Sequence, residues 1–157
     1  MSPPTNRNTI ASALTTVLQA IDGSGSYTFD LSGAGQIEQL DLAGPPVTRV
    51  RPYLAFHLGA RQDLRGGADA DLSQYGQTMS VDLLAVVSGG TSPESAVQAA
   101  NNMEADILRA LHGSRTLGSA AVYDLAVSTE IVTGSEVDGR TRDAYVAMTL
   151  DLFWART

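Results

Sequence analysis

The chain has 157 residues, 43% of them hydrophobic, a length and composition that fit one globular domain able to bury a core. It has no cysteine, and its ten basic residues are all arginine, which excludes disulfides, thiolate metal sites, cysteine nucleophiles, Schiff-base chemistry and a P-loop lysine. A net charge of −7 argues against a protein built to grip a phosphate backbone, because such a protein carries a basic patch or stripe.

Residues 1–7 are polar and proline-containing, read as a flexible tail without the apolar core of a signal peptide. No run approaches the ~18 apolar residues that span a bilayer, so the expectation is synthesis and use in a cytoplasm with no membrane partner. Asn6 or Asn8 can cap a helix running to about Ile21, with Ile10, Leu14, Val17, Leu18 and Ile21 on one apolar stripe. Asp22-Gly23-Ser24-Gly25 ends it. Tyr27, Phe29 and Leu31 alternate with polar residues and predict a half-buried strand.

Gly33–Gly35 makes a break, residues 37–42 form a weaker strand candidate, and Gly44-Pro45-Pro46 interrupts again. Residues 47–60 predict a strand with Leu54, Phe56 and Leu58 on one face and Tyr53, Ala55 and His57 on the other. Residues 61–74 have the glycine and aspartate content of a mobile loop. A strong strand follows over 77–87.

The second helix opens at Thr91-Ser92-Pro93-Glu94, either as a Thr91/Glu94 capping box or with Ser92 as cap and Pro93 in the first helical position. Val97, Ala100, Met103, Ile107 and Leu111 line its predicted buried face, and Gly113 ends it. Two long strands, about 120–132 and 144–155, close the chain as a hairpin with a mobile tip over 134–143. The last of them has Val146, Met148, Leu150, Leu152 and Trp154 on one face and Tyr145, Ala147, Thr149, Asp151 and Phe153 on the other. A strand partly apolar on both faces belongs inside a sheet. The order of elements predicts an α+β fold: an antiparallel-rich mixed β-sheet with two main helices packed on one face, in a single domain over 1–157 without internal repeats.

Chemistry-bearing residues are sparse. His57 and His112 stand alone, with no metal-ligand spacing around either, and His112 in a last helical turn suits the helix dipole. Asp63, Asp69 and Asp71 could collect a hard cation, and Gly66–Leu72 approaches one copy of a calcium-binding nonapeptide, but one copy lacking its second turn glycine reads as a solvated acidic loop. The glycine pairs at 23/25, 33/35 and 89/90 lack a dinucleotide or P-loop fingerprint, and no Gly-x-Ser-x-Gly elbow supports a serine hydrolase. Neither a catalytic residue, a metal nor a cofactor is expected.

With this layout in hand, the chain resembles phage tail terminator proteins, also called tail-completion or minor tail proteins. The resemblance lies in the opening helix Ile10–Ile21, the strand 77–87 followed by Ser-Pro-Glu and a helix to Leu111, and the closing hairpin whose final strand runs from Tyr145 to Arg156. It is a match of layout and texture across most of the chain, with no diagnostic motif. It implies a structural, non-enzymatic virion protein at the neck, assembled in the host cytoplasm. Its partners would be further copies of itself in a hexameric ring, the tail tube protein whose growth the ring ends, and the head-tail connector or stopper protein, with DNA passing transiently through. In such a ring the loops reach neighbours, which nominates Asp63, Leu64, Arg65, Asp69, Asp71, Leu72, Arg140 and Arg142 as subunit or partner contacts. The alternatives are another neck protein, a head-tail adaptor or stopper, and a small metal-dependent hydrolase using the aspartates of loop 61–74.

Overall fold

A computed structural model of the chain describes residues 7–39, 52–63, 77–89, 92–114, 117, 124–136 and 142–154. In chain order the elements are α1 (Arg7–Gln19), β1 (Ile37–Gln39), β2 (Tyr53–Asp63), β3 (Gln77–Ser88), α2 (Pro93–Gly113), β4 (Asp124–Glu136) and β5 (Arg142–Trp154). The strands form one five-stranded sheet in the order β1-β2-β3-β5-β4. Among the described residues only β1 on β2 is parallel, and every other pair is antiparallel. This is the α+β fold with an antiparallel-rich mixed sheet that the order of elements predicts.

The helices lie on the more apolar of the two faces that the strands offer. Leu54, Phe56 and Leu58 of β2, Met79, Val81, Leu83, Ala85 and Val87 of β3, and Ala144, Val146, Met148, Leu150 and Leu152 of β5 are buried together. Ile10, Leu14 and Leu18 of α1 and Ala100, Met103, Ile107 and Leu111 of α2 close over them. Hydrophobic residues recurring every second position on the strands thus meet residues recurring at three and four on the helices. β5 sits between β3 and β4, as a strand apolar on both faces requires.

α2 is capped at its start by Ser92, whose hydroxyl oxygen accepts the Ser95 N–H at 3.1 Å, with Pro93 in the first turn. Of the two starts the sequence allows, the structure takes this one. Ala96 is fully buried near the start of the helix, whereas Val97, expected on the buried face, is 42% exposed. At about 3.6 residues per turn, position 96 falls between Ala100 and Met103 on the helix face, whereas position 97 falls on the far side of Ala100, at the margin of the stripe.

Other expectations shift. α1 begins at Arg7, so Asn8 lies inside the helix and is not its cap, and Arg7 belongs to structure rather than to a tail. Asn6 lies outside the described residues. The alternation at Tyr27, Phe29 and Leu31 does predict burial, for Leu31 is buried and the two aromatics pack against the core, but the segment is not a strand. Its backbone donors go elsewhere: the Thr28 and Phe29 N–H groups donate to the carboxylate of Asp106 on α2, at 2.8–3.1 Å. A ladder cannot form with those groups already spent.

Asp106 is 1% exposed. Arg109, one turn further on, lies 3.5 Å from it, donates to the Ser26 carbonyl at 2.6 Å and stands over the Tyr27 ring. The clasp ties the segment after α1 to α2. That segment turns at Gly23 and Gly25, whose φ values of 77° and 61° lie in the left-handed region.

The strands outrun their predicted ends. Residues 61–63, read as loop, continue β2, with Asp63 opposite Gln77, while 64–74 lie outside the described residues. β4 runs from Asp124 to Glu136, and Glu136 pairs with Arg142, so 134–136 and 142–143 are strand where a mobile tip is expected. The register of β2 on β3 shifts between Leu58 and Arg61. Gly59 sits in that irregularity, where an added Cβ would lie 2.8 Å from the Ser80 carbonyl oxygen.

Two stability predictions follow from these contacts. Asp106→Ala strands two partly buried backbone donors and should cost about 2 kcal/mol in denaturant unfolding, whereas Asp82→Ala on the exposed sheet surface should stay within ~0.5 kcal/mol. Equal losses would show that the clasp is ornamental. Gly59→Ala should cost roughly 1–3 kcal/mol through the clash with β3; an unchanged unfolding midpoint would mean that the backbones are free to separate there.

Candidate assembly surface

The sheet face turned away from the helices follows from the same alternation. Residues at 78, 80, 82, 84, 86 and 88 of β3 and 143, 145, 147, 149, 151 and 153 of β5 point away from the core, and among the described residues no helix packs on them. Cross-strand register arranges them in rows. Tyr53, Val86 and Tyr145 form one row, and Ala55, Leu84, Ala147 and Glu130 the next. His57, Asp82, Thr149 and Ser128 follow, then Ser80, Asp151 and Ala126.

The surface is graded. At one end Tyr53 and Val86 are buried and the Tyr53 hydroxyl donates to Glu38 Oε2 at 2.5 Å. Toward the other end Asp82, Ala126, Ser128 and Glu130 are exposed. Ser80 donates to Asp151 Oδ1 at 3.2 Å, and Thr149 donates to Asp82 Oδ1 at 3.4 Å. The polar part is therefore acidic, with hydroxyl–carboxylate contacts running from strand to strand. It can meet a basic or polar surface in water.

Of the expected contact residues, Asp63 ends β2 opposite Gln77, and Arg142 opens β5 opposite Glu136. The Gln77 end of β3 pairs with Trp154 and its Ser88 end with Asp143, so Asp63 and Arg142 stand at opposite ends of the sheet. Strand rise places those ends roughly 35 Å apart. Leu64, Arg65, Asp69, Asp71, Leu72 and Arg140 lie outside the described residues. His57 stands across from Asp82, and His112 occupies the exposed last turn of α2, where a cation suits the helix C-terminus. Among the described residues no three histidine or acidic side chains gather to hold a metal ion. No helix there is long and apolar enough to cross a membrane.

The residue that sequence reasoning overlooks is Asp106. A signal exists: an acidic residue between Met103 and Ile107, inside an apolar stripe, needs a partner if the stripe is buried. Arg7 gives no such signal. Its guanidinium reaches the carbonyls of Leu58 and Gly59, a contact visible only once α1 is laid against β2.

Two exposed carboxylates are perturbed. The Ser24 hydroxyl and then its N–H, donating to Asp22 at 2.6 and 3.0 Å, hold that carboxyl below its ordinary 3.8. Ser32 does the same for Asp30.

No protein-family model matches the chain, and no curated protein matches it. Solved structures do; one aligns over 97% of this chain and 99% of its own, at 16% identity with a TM-score of 0.47. A likeness at that level leaves function to be argued from the residues.

The turn carboxylates give a pH prediction. A folded-state value depressed below 3.8 means that their contribution to stability is complete at neutral pH and is lost as pH falls through the lowered folded values. Carboxyl-carbon NMR titration should place both midpoints below 3.8, and Ser24→Ala should raise that of Asp22 while leaving that of Asp30 depressed. An Asp22 midpoint indifferent to Ser24 would remove the hydroxyl from the explanation.

Proposed function

We propose that the chain is a structural subunit of a phage tail neck, a terminator that assembles as a six-membered ring on the end of the tail tube. The ring ends tube growth and offers a surface to the head-tail connector or stopper, leaving a channel for DNA. The reading rests on the layout resemblance to tail terminators, and one observation carries it in the fold. The sheet is sealed by helices on one side and presents the other as a broad surface of half-exposed residues from its central strands. A subunit with an acidic sheet face on which no helix packs among the described residues is suited to lie against neighbours and to line a passage without gripping its contents.

Mixing the protein with cognate tail tubes and imaging the ends by electron microscopy tests the reading. Six-fold rings closing the tubes are expected, and growth of capped tubes should stop. Bare tube ends with the protein bound instead to connectors would assign it to the adaptor or stopper class, and rings of another order would overturn the hexamer. Turnover of a phosphate ester that depends on a divalent cation would overturn the structural reading altogether.

A further inference from the structure

The two edges of the sheet are finished differently. At the β2 edge, β1 covers Leu54–Phe56, and the Arg7 guanidinium donates to the next carbonyls, those of Leu58 and Gly59. At the other edge stands β4, thirteen residues long, with no segment among the described residues bonded to its outer side. It pairs with β5 without a break from Asp124 to Thr133, and its irregularity comes only between Thr133 and Glu136. It contains no proline or lysine and is rich in valine, isoleucine and threonine. An edge of this kind offers a row of backbone donors and acceptors to any extended chain.

Charge decides which chain. The ionised residues of β4 are Asp124, Glu130 and Glu136, and none is basic. Two copies of β4 laid antiparallel in full register would set Glu130 against Glu130 and Asp124 toward Glu136, and parallel copies would set each acid on itself. Like charges directly opposite are destabilising in either case, so in-register pairing of two β4 edges is disfavoured. On the open face Glu130 is exposed and Asp151 lies on the adjacent strand, whereas on the helix face Val127 packs against the core beneath α2.

We propose that the outer edge of β4 is a strand-addition site for an extended segment of another polypeptide that alternates arginine or lysine with β-branched apolar residues. The basic side chains lie on the open face beside Glu130, and the apolar ones continue the core beyond Val127. The proposal stands on the sheet edge and its charge pattern, not on the ring.

The test uses the full chain, isotope-labelled, with three capped ten-residue peptides: arginine alternating with valine, glutamate in place of arginine, and the arginine peptide N-methylated at alternate residues. The arginine peptide should bind at least tenfold tighter than either of the others and slow amide exchange at alternate β4 residues at least tenfold. Glu130→Arg should shift preference toward the glutamate peptide by a similar factor; should that variant fail to fold, Glu130→Gln should weaken arginine-peptide binding in the same direction. Equal binding of the N-methylated peptide, perturbations on α2 instead of β4, indifference to residue 130, or no binding at millimolar concentration would each overturn the site.

Discussion

Ten side chains of β3 and β5, at alternate positions from Met79 to Val87 and from Ala144 to Leu152, point from one sheet face into α1 and α2. Each fully buried valine, leucine or methionine among them contributes about 1.5–3 kcal/mol. A slip of one residue in the β3–β5 register would turn all five on a strand toward water, so the burial also fixes the pairing. The position of β2, the span of α2 and the existence of an open face follow from it. So does the identity of the face residues, which alternate with the buried ones by geometry alone.

The features legible in the sequence are those that depend on local period. α1, β3, α2 and the closing hairpin could be read because their apolar residues recur at two or at three and four. What could not be read depends on a partner far along the chain. Tyr27, Phe29 and Leu31 carry a strand's pattern, and their burial follows it, yet Asp106 takes the backbone donors that a ladder would have used. Strand ends failed in the same way: residues 61–63 and 134–136 have loop-like composition but pair because the neighbouring strand is already in place. Val97 has the spacing of the stripe's margin, and the helix turns Ala96 rather than Val97 toward the core.

The candidate surface was less legible than the fold. The aspartates and arginines of the loops are contacts only by way of the resemblance to a ring protein, and Asp63 and Arg142 lie at opposite ends of the sheet. The open face and the β4 edge are built instead from residues unremarkable in the sequence, such as Ser80, Ala126 and Ser128. They acquire meaning only through register. A surface made by pairing has no linear motif, and the asymmetry between an edge closed by Arg7 and an edge left to β4 is a property of topology.

The central place of β5 also governs how the chain comes together in time. β2 and β3 are synthesised and can pair well before β5 exists, but until residues 142–154 have emerged β3 has one side open and half of its apolar face lacks neighbours. Clasping of the segment after α1 waits in the same way for Asp106. Folding is thus dominated by non-local contacts whose reward arrives late, a regime in which folding is slow and half-made sheets are sticky. Until β5 takes its place in the middle of the sheet, β3 keeps one hydrogen-bonding edge open to the wrong partners.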